Sequence, residues 1–257
     1  MHNDSTPYTV SPDIFRAIKS HLVRLKDLTA AKTKGKRKQS PARVLLSSDA
    51  LRDRVTHDWK EKEAFTDDQF RAVVGLLHGP GVVWKLEFGD LVLLQPERIN
   101  AYAAALVRRV RKQIDEIGVI PEAEVLAGEL EYADMARLPE DEEEIVLRAM
   151  HQMVVNRGLC IRQHQPRGGP LLIFPSLYKQ KRPERPTHPL LLMTFRFEGH
   201  LDEIYATLIV HLHHTDPFEY KQLWLDAADF VSIAEERIGL KMTRNEGRGE
   251  ITVFADG

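Results

Sequence analysis

His211, His213 and His214, with Asp216 close behind, form the densest group of potential metal ligands in the 257-residue sequence. Imidazole ligates zinc, and a pair spaced i, i+2 or i, i+3 can converge on one ion. A metal-dependent hydrolase would have to be built on these three. The pattern His-Glu-x-x-His is absent, however, and only one carboxylate stands nearby. A helix end, where cationic imidazole complements the dipole, accounts for the same residues, so no metal ligand is expected. His151 and His164 are isolated in the sequence.

The other candidates for chemistry have simpler explanations as well. No Gly-x-x-x-x-Gly-Lys-Ser/Thr loop occurs, and Gly79-Pro80-Gly81 and Gly168-Gly169-Pro170 lack the lysine and helix start that cradle phosphates. Gly247-Arg248-Gly249 has the composition of a hairpin turn. Ser176 follows Phe174-Pro175 without the Gly-x-Ser-x-Gly elbow that exposes a nucleophile. Cys160 lies in the apolar run Leu159-Cys160-Ile161, where burial disfavours its thiolate. The acids Glu140 to Glu144 fit a solvated helix N-terminus better than a cation site. The chain is therefore expected to be non-catalytic and to hold no cofactor.

Basic clusters leave room for polyanions. Lys32 to Arg43 contains six basic residues and no acid, with Gly35 and Pro41 as breakers, and is expected to be a mobile loop. Lys34, Lys36, Arg37 and Lys38 are its candidate nucleic-acid or anion contacts, weak and indifferent to sequence. A second basic run is Arg108, Arg109, Arg111 and Lys112.

With 36 basic and 38 acidic side chains the formal charge is −2, so any electrostatic partner is met through a local patch. A single cysteine excludes an internal disulfide and suits a reducing compartment. The polar first ten residues and the absence of any long apolar run predict a cytoplasmic protein with no membrane partner.

The elements follow from periodicity and breakers. Ser11-Pro12-Asp13 opens a helix carrying Ile14, Ile18, Leu22, Leu25 and Leu28. Val44-Leu45-Leu46 is a short strand, Ser48 caps a helix through Trp59, and Thr66-Asp67-Asp68 caps another through Leu77. Val82 to Phe88 and Leu91 to Gln95 make a hairpin at Gly89-Asp90. A long helix, Pro96 to Ile117, then leads to Val119-Ile120, a short helix from Pro121 to Leu126, and a helix entered at Leu138-Pro139. A second hairpin follows, Leu159 to Arg162 and Leu171 to Phe174. Gly81 to Trp84 with Asp90 to Pro96 is echoed by Gly158 to Ile161 with Gly169 to Pro175, a period of roughly 78 residues. Helices followed by a hairpin, twice over, predict tandem winged-helix units.

Past the proline-rich Lys179 to Pro189 linker the pattern turns to strands: Leu190 to Phe197, a helix from Leu201 to His213, then Leu223 to Val231, Ile238 to Thr243 and Glu250 to Phe254. One amphipathic helix covers one face. Part of the sheet, or its last strand Glu250 to Phe254, is therefore expected to stay unpaired, with Leu223, Leu225, Leu240 and Met242 as the candidate self-association surface of a truncated domain. The expected fold is α+β: a helix and basic loop (1–46), two winged-helix units (47–117 and 118–182) and a small sheet domain (190–257).

From about Thr66 onward, roughly three quarters of the chain, the sequence resembles the COR region of bacterial Roco-type signalling proteins. The likeness is carried by Leu77-His78 to Gly81, Leu93-Leu94-Gln95-Pro96, Gly118-Val119-Ile120, Leu172 to Leu177, and Thr194-Phe195-Arg196-Phe197 leading into Leu201 to His213. Glu97-Arg98-Ile99 stands where the family pattern carries an aromatic, and no GTPase domain precedes the module. The resemblance implies a regulatory and dimerisation module of a signal-transduction NTPase. Its partners would be an NTPase domain in the same or a neighbouring chain and a second copy as homodimer. The alternative is a winged-helix DNA-binding transcription regulator, whose recognition helix, Thr66 to Leu77, opens on the phosphate-repelling Asp67 and Asp68.

Overall fold

The computed structural model describes residues 12–34, 43–61, 63–113, 118–132, 136–165, 168–183, 190–198, 201–215, 218–245 and 248–255. The protein is α+β, with three antiparallel sheets among the described residues. It divides into two compact units, Met1–Tyr102 with Tyr132–Ala149 and Ala103–Glu131 with Met150–Gly257.

In the first unit, α1 (Pro12–Lys34) lays Ile14, Ile18, Leu22 and Leu25 into the core, all buried. Their i, i+4, i+8, i+11 spacing is one stripe of a helix. α1 thus belongs to this unit's core and β1 (Leu45–Ser47) to its sheet, so the boundary expected at residue 46 falls inside a compact body. Ser47, not Ser48, caps α2 (Ser48–His57), its side chain accepting from the Ala50 amide at 3.1 Å. The helix stops short of Trp59, whose ring stacks on His21 and meets Phe65 edge-on. α3 (Asp67–His78) opens with a full capping box between Thr66 and Gln69 and buries Phe70, Val73, Val74 and Leu77. β2 (Trp84–Lys85) and β3 (Leu91–Leu93) complete a sheet of order β1-β3-β2. Between them Gly89 and Asp90 both take positive φ, 70° and 45°, as a tight hairpin turn requires. Aspartate tolerates that region better than most side chains, and Ser48 Oγ donates to its carboxylate at 2.9 Å.

The chain passes through α4 (Glu97–Arg111) into the second unit and repeats itself. β4 (Val119–Pro121), α5 (Glu122–Leu126), α6 (Glu140–Asn156), β5 (Ile161–Gln163) and β6 (Leu171–Ile173) follow, with sheet order β4-β6-β5. Backbone bonds match one for one. The Leu94 amide donates to Val44 O and the Phe174 amide to Gly118 O, both at 2.8 Å. The Val82 amide donates to Leu77 O and the Leu159 amide to Val154 O, and Gly81 and Gly158 both turn at positive φ. A 3-10 turn, Pro175–Leu177, ends the repeat.

The third sheet has the order β7-β11-β10-β9-β8, from β7 (Leu190–Glu198), β8 (Phe218–Leu223), β9 (Ala227–Ser232), β10 (Arg237–Asn245) and β11 (Arg248–Ala255). α7 (Leu201–His213) covers it, burying Leu201, Tyr205, Ile209 and Val210. Two expectations change here. The run Leu223 to Val231 is two strands, because the backbone turns at Trp224 to Asp226, the Trp224 amide donating to Ala227 O at 2.8 Å. The last strand is not left unpaired: β11 is bonded on both sides, to β10 and to β7. The core of this sheet includes Ile161 and Ile173 from the second repeat, so the expected boundary between repeat and sheet domain crosses a shared core.

Two strand glycines are set by close approach. A Cβ on Gly239 would lie 2.1 Å from the Phe254 ring, and one on Gly249 would lie 2.4 Å from Leu201 Cδ2. On the Phe254 side, Arg182 lies over the Trp224 and Phe254 rings and binds both Asp229 oxygens at 2.7 Å.

Candidate functional site

The densest polar group of the second unit centres on Glu122, buried at the start of α5. Arg162 of β5 binds its carboxylate in bidentate fashion, Nε to Oε1 at 2.6 Å and Nη2 to Oε2 at 2.8 Å. His151 of α6 places Nε2 2.6 Å from the same Oε1, and His164 Nε2 lies 3.0 Å from Arg162 Nη1. The Arg162 hydrogen bonds hold the Glu122 carboxyl below its ordinary range despite burial. His151, on α6, and His164, just after β5, are isolated in sequence but meet in one cluster, because β6 pairs with both β4 and β5 and sets Arg162 beside Glu122. Cys160 is fully buried beside it, and burial, with a smaller contribution from the Glu122 charge, pushes its thiol up to about 12. This buried carboxylate is paired with the Arg162 guanidinium and has the His151 imidazole against it. Its chemical effect is to fasten α5, α6 and β5 to one another.

The first unit has a comparable group at the start of α6. Glu143 accepts from Tyr102 Oη at 2.5 Å and from Arg137 Nη2 at 2.6 Å. Burial and the Glu143 hydrogen bond raise the Tyr102 hydroxyl above its usual range. Glu142 accepts the amides of Val44 and Leu45 at 3.1 and 3.3 Å, and burial pushes its carboxyl up. This corrects the expectation of a solvated acid run for two of its five acids, while Glu140, Asp141 and Glu144 are exposed as expected. Glu142 and Glu143 are buried and hold the entry to β1 and the segment before α6, because the helix start is packed against them instead of facing water.

Among the sequence-predicted contacts, Lys34 is the last residue of α1, with its side chain outside the described set, and Lys36, Arg37 and Lys38 lie outside the described residues altogether. In the second basic run, Arg109 pairs with Glu124 at 2.8 Å and Lys112 pairs with Glu131. On α3, Asp67 binds Arg52 at 2.5 Å and Asp68 lies 3.9 Å from Arg71, so the two acids remain on the helix's opening turn. His213 and His214 meet ring to ring at the end of α7, with centroids 5.3 Å apart. Burial and the neighbouring His214 lower the His213 pKa, and no group of three or more metal-ligating side chains forms among the described residues.

The proposed self-association residues are placed differently from expectation. Leu223, Leu240 and Met242 are buried in the core under α7, and Leu225 is only partly exposed, its amide donating to Gln180 O at 2.7 Å. Leu223, Leu240 and Met242 share a core with α7, the helix packed on this sheet. The exposed apolar side chains of this sheet are instead on β7, which sequence reasoning missed. The signal was present in Leu190-Leu191-Leu192-Met193, a run without polar alternation.

No helix among the described residues is long and apolar enough to cross a membrane. No family model matches the chain, and no curated protein is significantly similar to it.

Proposed function

We propose that this chain is a cytoplasmic, non-catalytic regulatory and self-association module of a signal-transduction NTPase, similar to the COR region of Roco-type proteins. The observation that carries the proposal is the element order. Two copies of one helix-and-hairpin unit, read here as winged-helix-like, precede a helix-covered sheet, which is the order the resemblance implies. The two polar clusters support it. Each ties helices to strands within its unit, giving stiff bodies of the kind that carry a mechanical signal.

The deciding experiment reads the coding sequence on both sides of this chain and adds the purified chain to any P-loop domain found there. Nucleotide turnover by that domain should change on addition, while this chain alone turns over neither GTP nor ATP. Sequence-specific duplex binding that survives neutralisation of Lys34, Lys36, Arg37 and Lys38 would overturn the proposal in favour of a transcription regulator.

A further inference from the structure

The five-stranded sheet has two unlike edges. β8 carries Glu219 and Lys221, bonded to each other at 3.0 Å, and its register shifts between Tyr220 and Gln222. Charge and irregularity are the usual defences of an edge against foreign strands. β7 has neither charge nor proline from Leu190 to Phe195, and its one irregularity, a bulge at Leu192 between the Met193–Val253 and Leu191–Phe254 pairs, leaves Met193 to Glu198 in regular register. Its two charged residues, Arg196 and Glu198, are turned to β11, where Glu250 and Arg248 meet them at 2.8 and 3.8 Å. Leu190, Leu191, Leu192, Met193 and Phe195 are 63, 61, 51, 54 and 45% exposed.

The exposure has a structural cause. Met193 and Phe195 pair with Val253 and Ile251, whose side chains belong to the core layer under α7. Ile251 is fully buried and Phe197 of β7 is packed against the same core, whereas Met193 and Phe195 stay about half exposed. The core layer therefore runs on to β7 and stops there without a cover.

We propose that β7 pairs, antiparallel and edge to edge, with β7 of a second copy of this chain across a two-fold axis near Thr194. The two sheets then become one continuous sheet. This rests on the self-association part of the function proposed above and assigns it a place and a geometry. Pairing centred on Thr194 sets Met193 opposite Phe195 of the second copy, so the core layers join there, while the bulge puts Leu191, the partner of Phe254, on the other face. Arg196 comes opposite the bulged Leu192, and no like charges meet. Main-chain hydrogen bonds carry most of such a pairing, and with only the flanks of these side chains covered the dimer belongs to the weak, reversible class below about 1,200 Å². An isologous pairing needs only one such strand per copy.

The test uses the full chain in sedimentation velocity over a concentration series. The wild type should be a reversible dimer. Met193→Lys and Phe195→Glu should each weaken association at least tenfold with unchanged far-ultraviolet circular dichroism, because both side chains are solvent-facing in the single copy. An equimolar mixture of the two variants should associate again, since the new lysine then lies opposite the new glutamate. Lys221→Glu on β8 should change nothing. Should a variant misfold, hydrogen exchange on the wild type decides, with β7 amides gaining protection as concentration rises. A dimer that persists in both variants overturns β7 as the interface while leaving self-association in place. A wild type monomeric at high concentration overturns the inference and self-association together, but not NTPase regulation, which is measured separately. Pairing of β7 with an added extended peptide and not with itself also overturns it.

Discussion

Ser48 and Glu122 occupy the same place in the two repeats. Each begins the short helix that follows the first strand, and each donates its backbone amide at 2.9 Å to the carbonyl at the tip of its own hairpin, Asp90 O for Ser48 and Pro170 O for Glu122. The side chains differ because their surroundings do. In the first repeat a hydroxyl serves an aspartate that the turn places at hand, and the Ser48 bond holds the Asp90 carboxyl low. In the second, proline fills that turn position and the polar role passes to the helix residue itself.

Glu122→Ala should therefore cost about 3 kcal/mol of unfolding free energy, the scale for removing one member of a buried charge cluster. Because the folded carboxyl lies below the ordinary glutamate value of 4.5, its contribution is complete above that value and is lost as pH falls through the folded one. Urea titrations of wild type and Glu122→Gln from neutral to acidic pH should show the gap closing on the acid side.

Glu142 runs the other way. Burial raises its carboxyl, so its contribution to stability falls as pH climbs from the ordinary value through the raised one. Glu142→Gln keeps an acceptor for one of the two amides and should be nearly neutral at pH 7. Glu142→Ala leaves both without a partner and should cost about 2–4 kcal/mol. Equal losses in the two variants, measured by chemical denaturation, would refute this account of the β1 entry.

Gly239→Ala and Gly249→Ala should each destabilise by about 1–3 kcal/mol, since the new methyl must displace the Phe254 ring or the buried Leu201 side chain. A double variant, Gly239→Ala with Phe254→Leu, should recover part of the loss, and thermal unfolding reads the coupling.

Cys160 should be inert towards a thiol reagent at neutral pH in the native protein and fully reactive in denaturant, as its burial and raised pKa require. Fast labelling of the folded chain would show that the second repeat opens.

Much of this fold is legible in local patterns. α7 begins and ends where its apolar stripe does, and the echo between the hairpins reports a real repeat, because hairpin turns and capping residues act over a few positions. What local pattern does not encode is order across a sheet. Nothing in the residues of β11 says that it lies between β7 and β10, and that placement alone reverses which strand is left with an open edge. The turn at Trp224 to Asp226 was hidden because it holds neither glycine nor proline. Glu142 and Glu143 have the spacing of a solvated helix start, and only their tertiary neighbours, Val44 and Tyr102, make them buried acceptors.

The position of β11 also bears on how the protein is made. β7 leaves the ribosome before α7, β8, β9 and β10, and its only neighbour among the described strands is the one synthesised after all of these. At about 5–20 residues per second, Leu190 to Phe195 spend several seconds with neither edge bonded. A nascent chain at that stage presents a strand open on both sides, next to neighbouring chains at the same stage on one polysome. Slower translation between β7 and β11 should thus lower the share of product that reaches the native sheet, which the soluble yield of synonymous-codon variants measures.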